Sequence, residues 1–170
     1  MIKTFNKQSA FIKTSFGTLQ IVASLNGINS IKKIDNKKRV YSSLKSSSYH
    51  KIMQKTIEHL HEYFLGTRKE FNIPIVLETT QFYEKALLAV LEIPFGEIRT
   101  YKSIAKISGN EKGSRAVGTA NSKNPIPIII PCHRVIPSNG SIGNYRYGRK
   151  AKKDLLEHEG HSFNGDLFFN

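Results

Sequence analysis

Apolar and polar residues alternate over residues 11–16, 19–25 and 28–34, the period of a half-buried strand. β-Branched and aromatic side chains populate these stretches, with Lys, Thr, Gln and Ser interleaved. Gly17-Thr18 and Asn26-Gly27 punctuate them, and Asn-Gly signals a two-residue hairpin because both positions tolerate positive φ. The pattern predicts a three-stranded antiparallel meander. The period then changes: Ile52, Met53, Thr56, Ile57, Leu60 and Phe64 recur at helical spacing, with Gly66 placed to end the helix. Residues 37–48, rich in Lys and Ser, read as a surface loop. Residues 71–77 form another extended candidate, which Pro74 confines to an edge or a linker. A small α/β domain, an antiparallel sheet with a helix, is expected over residues 1–77.

Residues 78–170 read as a mainly α domain. Thr79 or Thr80 caps a helix whose apolar face is Phe82, Ala86, Leu87, Val90 and Leu91, broken by Ile93-Pro94-Phe95-Gly96. Thr100 caps a short helix that runs through Ile104 and Ile107 to Gly109. A turn at 110–113 leads into a second short helix, Ser114-Arg115-Ala116-Val117-Gly118-Thr119-Ala120. Two short helices joined by such a turn fit a winged-helix-like helix-turn-helix. The second helix has a smooth face of Ala116, Gly118 and Ala120 with one long cation, Arg115. That face suits close approach either to a nucleic-acid groove or to a neighbouring helix. Prolines at 125, 127, 131 and 137 forbid regular helix, so the apolar run at 124–136 is expected to be a rigid extended rod in the core. Residues 138–147 read as a flexible loop. A last helix at 149–158 buries Ala151, Leu155 and Leu156 and stops at Gly160.

Charge adds a direction. Lys and Arg number 26 against 13 Asp and Glu, a formal net charge of +13. Such a field suits phosphate-rich partners, though a protein can also simply be basic. One cysteine excludes an internal disulfide and a stapled secreted scaffold. Residues 1–7 lack the apolar core of a signal peptide, and no apolar run is long enough to span a bilayer. A soluble, cytoplasmic protein, nuclear or nucleoid-associated wherever DNA is, is expected.

That cysteine, Cys132, has chemistry-bearing neighbours. Pro131 fixes the backbone before it, and His133 and Arg134 follow. A thiol becomes a useful nucleophile when a base or a positive field stabilises its thiolate. In a regular strand Cys132 and His133 point to opposite faces, so they cooperate only if the chain turns there or through a water. Glu159, at the end of the last helix, is a candidate to hold one imidazole nitrogen and leave the other to take a proton. Cys132, His133 and Glu159 would serve a protease, an amidotransferase or an alkyl acceptor. No oxyanion hole is evident for acyl transfer, and the charge and helix-turn-helix favour a nucleic-acid substrate.

Asn124-Pro125, Pro131-Cys132-His133-Arg134-Val135 and Gly143-Asn144-Tyr145 together resemble the O6-alkylguanine-DNA alkyltransferases, the methylated-DNA–protein-cysteine methyltransferases, over about residues 93–161. The resemblance implies DNA repair by single-turnover transfer of an alkyl group, mainly methyl, from O6-alkylguanine to Cys132, and also from O4-methylthymine. It implies that His133 deprotonates Cys132 through a water, oriented by Glu159, and that Tyr101 hydrogen-bonds the flipped base. Arg115 would fill the gap left by the extruded nucleotide, with Ser114, Ala116, Gly118 and Thr100 also facing DNA. Asn124 would brace the turn beside the site, and Val135, Tyr145, Arg146 and Tyr147 would line the base pocket. The partner implied is double-stranded DNA carrying the lesion, bound by a monomer without membrane or cofactor.

Two departures sharpen these expectations. Arg146 and Tyr147 stand where some members carry glycine, which implies a tighter pocket that prefers methyl to bulky groups. Some relatives bind a structural zinc through N-terminal cysteines and histidines; with no second cysteine, no metal is expected here. The competing readings are a damage-binding protein of the same fold, a helix-turn-helix regulator and a cysteine hydrolase. Cys132 argues against the first, and the lack of polar base-reading residues at 116, 118 and 120 against the second.

Overall fold

The computed structural model describes residues 7–34 and 51–169, so the loop expected at 37–48 lies outside the described residues. The chain divides into two compact units, Met1–Leu77 and Glu78–Asn170.

In the first unit three strands, β1 (Gln8–Thr14), β2 (Gly17–Ser24) and β3 (Gly27–Ile34), form an antiparallel sheet in sequential order. One face is apolar: Ala10, Ile12, Leu19, Ile21, Ala23, Ile28 and Ile31 are buried, the alternation the sequence predicts. Helix α1 (Lys51–Phe64) brings Met53, Thr56, Ile57, Leu60 and Tyr63 into the same core. The turns sit earlier than expected. Thr14 pairs with Gly17 and Ser24 with Gly27, so the loops are Ser15-Phe16 and Leu25-Asn26, and the glycines open the next strands. Phe16 takes a turn position because its ring stacks on Phe64, with centroids 6.3 Å apart. Gly27 answers to a close approach: a Cβ there would lie 2.6 Å from the Pro74 carbonyl oxygen. That carbonyl accepts from Ile28 N at 2.9 Å, and Val76 N donates to Ile28 O at 2.8 Å. Residues 71–77 thus touch the sheet edge through a parallel bridge at Ile75.

The second unit begins with α2 (Gln81–Leu91), whose extended Thr80 precedes it without a side-chain cap bond. Strand β4 (Arg99–Thr100) pairs in parallel with β5 (Val135–Ile136). Thr100 then caps α3 (Tyr101–Ile107), its Oγ1 accepting from Ser103 N at 3.1 Å. After the turn, α4 (Ser114–Ser122) packs on both α2 and α3, which completes the helix-turn-helix. Helix α5 (Arg149–His158) follows, and Gly160 beyond it has φ 94°.

Two expectations need correction. The proline-rich segment is buried but is no extended rod. Ile128 has φ 77°, alone among non-glycine described residues, and Ile130 N returns to Ile126 O at 2.9 Å. A β-branched residue in that region costs roughly 1–3 kcal/mol, sustained because Ile126, Ile128, Ile129 and Ile130 are packed in the core. A 3-10 turn over Cys132–Arg134 comes next. Proline blocks regular helix and ladder, and the chain satisfies its buried amides with tight turns instead.

Nor is the 138–147 segment a bare loop. A short hairpin, β6 (Ser162–Asn164) with β7 (Leu167–Phe169), bridges Ser141 through Leu167. Ile142 N donates to Asp166 O at 2.9 Å.

Candidate functional site

Cys132 opens the 3-10 turn, 5% exposed and followed directly by buried His133 and Arg134. The turn removes the opposite-face problem of a strand. Asn124 holds the sulfur from the other side. Its Nδ2 donates to Cys132 Sγ at 3.2 Å and to Ile130 O at 2.8 Å, while its Oδ1 accepts from Ile126 N at 2.9 Å. Asn124 therefore spans the tight turn and reaches the thiol with one buried amide.

Burial pushes the Cys132 thiol above its ordinary range, opposed by the Asn124 hydrogen bond and the cations Lys152 and Arg146. The resting sulfur is protonated and needs a base. His133 fits that need. It is fully buried, and burial holds it below its ordinary value against the pull of Glu159, so the ring is neutral. Its Nε2 lies 2.9 Å from Glu159 Oε1. In a neutral ring facing a carboxylate the proton sits on Nε2, which leaves Nδ1 a lone pair. That Nδ1 is buried with no hydrogen-bond partner among the described residues.

Glu159 is fixed by more than the histidine. Arg134 grips it twice, Nε to Oε2 at 2.8 Å and Nη2 to Oε1 at 2.9 Å, and donates through Nη1 to Ile93 O at 2.5 Å. Burial alone would push the Glu159 carboxyl up, but the hydrogen bonds from His133 and Arg134 outweigh it and hold it far below the carboxylate range. The carboxylate stays charged without drawing a proton onto His133, because Arg134 neutralises it.

Lys152 completes the group. It is fully buried on α5, and its Nζ donates to Val135 O at 2.6 Å. Burial lowers it from 10.5 to about 8, against the pull of Cys132. Sequence reading passed over Lys152 because a lysine among Lys150, Lys152 and Lys153 looks solvated.

A cavity of about 690 Å³ opens beside the sulfur, walled by Tyr101, Ser114, Arg115, Gly118, Tyr145 and Arg146 among others. Tyr101 is held protonated by burial, and next by the negative charge Cys132 can carry, so its hydroxyl can donate. Gly143 also lines the cavity; it has φ 68°, and a Cβ there would meet Pro137 Cδ at 2.7 Å. Thr100, Ala116, Asn124, Val135 and Tyr147 stand outside the walls. Thr100 caps α3, Val135 gives its carbonyl to Lys152, and Tyr147 packs edge-on against Tyr145 with centroids 5.8 Å apart.

Asn121 is a further wall residue that no motif announced. It is buried, and neither amide atom has a partner among the described residues. Two orphaned groups destabilise the free protein. Asn121→Leu is expected to raise the thermal unfolding midpoint, by about 1–2 kcal/mol of stability, while slowing the reaction with any ligand those atoms meet. Calorimetry beside a rate measurement checks both signs.

Comparisons with known proteins place the chain in a family. Residues 8–77 match the 6-O-methylguanine DNA methyltransferase ribonuclease-like domain, and residues 81–161 match the DNA binding domain of the same family. A methylated-DNA–protein-cysteine methyltransferase of Methanosarcina acetivorans is 37% identical over 151 residues, 89% of this chain and 97% of that protein. A Mycobacterium tuberculosis O6-methylguanine methyltransferase crystal structure is similar with a TM-score of 0.75 and 30% identity, over 90% of this chain and 92% of that one. The same organism's protein solved in complex with DNA gives 0.74 and 32%, over 89% and 91%. The chain belongs to the 6-O-methylguanine DNA methyltransferase family.

Proposed function

We propose that this chain repairs DNA directly, moving an alkyl group, mainly methyl, from O6-alkylguanine, and also from O4-methylthymine, onto Cys132 in a single turnover. The observation that carries the reading is the buried line from Arg134 through Glu159 to His133, which leaves one bare imidazole nitrogen on the residue that follows Cys132. His133 Nδ1 takes the thiol proton through a water, Sγ attacks the alkyl carbon, and the C–O6 electron pair leaves with the guanine. The Tyr101 hydroxyl donates to the base and stabilises its developing charge. Asn124 Nδ2 and Lys152 favour the thiolate. The product is a thioether with no leaving group for water to displace, so each molecule acts once.

The target carbon is unreachable in stacked DNA, so the nucleotide must be flipped out at a cost of a few kcal/mol. Arg115, exposed on α4 at the cavity wall, is the side chain suited to fill the vacancy, with Ser114, Ala116 and Gly118 presenting the smooth face around it. In this reading the protein binds duplex DNA as a monomer in a cytoplasmic, nuclear or nucleoid setting. Among the described residues, no helix is long and apolar enough to cross a membrane.

The direct test incubates the protein with a duplex carrying O6-methylguanine, then weighs the intact chain and maps the modified peptide. One methyl on Cys132, absent in Cys132→Ser, is the expected result; an unmodified wild type retires the proposal. In Arg115→Ala, transfer from the duplex should drop about a hundredfold, since roughly 2–3 kcal/mol of flipping cost is no longer offset. Transfer from the free base, where nothing is flipped, should drop far less. Equal losses on both substrates would place Arg115 in chemistry instead of flipping.

A further inference from the structure

The two units share the charge of the chain unequally. Residues 1–77 hold 13 of the 26 Lys and Arg but only 4 of the 13 Asp and Glu; residues 78–170 hold 13 and 9. The unit without the helix-turn-helix therefore carries +9 of the +13. Its carboxylates are also segregated. Strands β1 to β3 contain none, while Glu58 and Glu62 lie on α1 and Glu70 beyond it. Helix α1 packs on the apolar face of the sheet, and Lys13 and Lys32 stand exposed on the face turned away from it, each next to a buried isoleucine that points inward. The register sets Lys13 in a row with Thr18 and Ile34, and Lys32 in a row with Gln20 and Phe11. Lys33, one residue on, turns to the core side, where its Nζ lies 4.6 Å from the centroid of the Phe16 ring. Among the described residues no carboxylate pairs with Lys13 or Lys32.

Like charges gathered without acids repel one another, a cost that a polyanion removes. We propose that this outward sheet face binds the phosphate backbone of duplex DNA, as a contact surface separate from the helix-turn-helix. The inference goes beyond alkyl transfer and rests only on its DNA substrate. Lys13 and Lys32 sit two strands and two residues apart, about 12 Å between backbones, which two flexible four-carbon stems can close onto phosphates of one strand. Between them Thr18 and Gln20 offer neutral donors of the kind that bind phosphate oxygens. Gln20 Nε2 donates to Ser9 Oγ at 3.2 Å and keeps its second N–H for another acceptor. No element of this face is shaped to enter a groove, so the contact is to the backbone and carries no sequence information. Contacts of that kind raise affinity for undamaged DNA without favouring any base, and so serve the search for a lesion.

The test measures binding of the full chain to an undamaged duplex over a range of salt. Each lysine–phosphate contact adds about 0.9 to the slope of log affinity against log salt. Lys13→Gln combined with Lys32→Gln is therefore expected to flatten the slope by about 1.8. Binding should weaken about thirtyfold at about 0.15 M salt, and the gap should close toward about 1 M. Lys51→Gln combined with Lys55→Gln removes the same charge from exposed positions on α1, on the other side of the sheet, and should change the slope by less than about 0.5. Alkyl transfer from the free base needs no phosphate contact and should be equal in all three proteins. Equal flattening in the two double variants would reveal a general field, and an unchanged slope in the sheet variant a merely solvated face; either overturns the inference. An unchanged slope with weakened binding to phosphatidylserine vesicles would make the face a lipid surface and overturn it too. A wild type that binds no duplex at all would overturn the DNA reading along with it.

Discussion

In Glu159→Gln, alkyl transfer is expected to slow by about two to four orders of magnitude. The carboxylate does two things at once. It fixes the imidazole with its proton on Nε2, and it supplies the buried negative charge that faces Arg134. An amide at 159 can donate to Nε2, which moves the ring proton to Nδ1, the nitrogen that must accept from the thiol. Arg134 would also be left buried opposite a neutral group, a loss of about 3–5 kcal/mol. Thermal unfolding measured alongside the rate separates the two effects. A folded variant that transfers within about threefold of wild type would remove Glu159 from the mechanism, since a positioned base contributes at least about a hundredfold.

The pH dependence of wild-type stability follows from the same pair. Glu159 is depressed from 4.5, so its contribution is complete above that value and fades as pH falls toward the folded value. His133 is lowered from 6.5, so the unfolded chain binds its proton first. Both signs agree: stability declines as pH drops below about 6.5, and declines further below about 4.5.

The parts legible in the sequence were those with local causes. Alternation in β2, the stripe of α1 and the Thr100 cap each depend on neighbours a few residues apart. What stayed hidden depends on long-range contact. Gly27 looked like a turn residue, but it is the backbone of Pro74, far along the chain, that demands glycine there. The isoleucine run looked extended because prolines exclude helix, yet a core willing to hold Ile128 at φ 77° bends it. The site divides in the same way. Cys132 and His133 are adjacent and visible from chemistry alone, and Glu159 was a candidate at a helix end whose role the resemblance then implied. Arg134, which clamps that carboxylate, and Asn121, with its orphaned amide, carry no local signature of their partners. The β6–β7 hairpin did have a signal in Asn164-Gly165, but strands of three residues are too short to show alternation.

Lys152→Met is expected to unfold at a higher temperature than wild type and to transfer alkyl groups more slowly. Holding a lysine at about 8 instead of 10.5 means that the folded state works against its charge by about 3 kcal/mol at neutral pH. Methionine fills a similar volume without charge, the kind of exchange that is often stabilising. The variant loses the Nζ hydrogen bond to Val135 O, which returns about 1–2 kcal/mol of that gain and leaves a net rise of a few degrees. The sign can be checked independently. Since the folded value lies below the unfolded one, the unfolded chain binds the extra proton between pH 8 and 10.5, and wild-type stability gains with pH across that window. The methionine variant lacks this gain, so the two stabilities should converge as pH rises. The rate moves the other way. Cys132 is already pushed up by burial, and Lys152 is the largest cationic influence drawing it down. Without it the thiolate is scarcer, transfer at neutral pH should fall about tenfold, and the rate profile should shift to higher pH. A variant less stable than wild type would show that the bond to Val135 outweighs the buried charge. A variant with an unchanged rate profile would show that Lys152 does not govern the sulfur and that Asn124 and the remaining groups do.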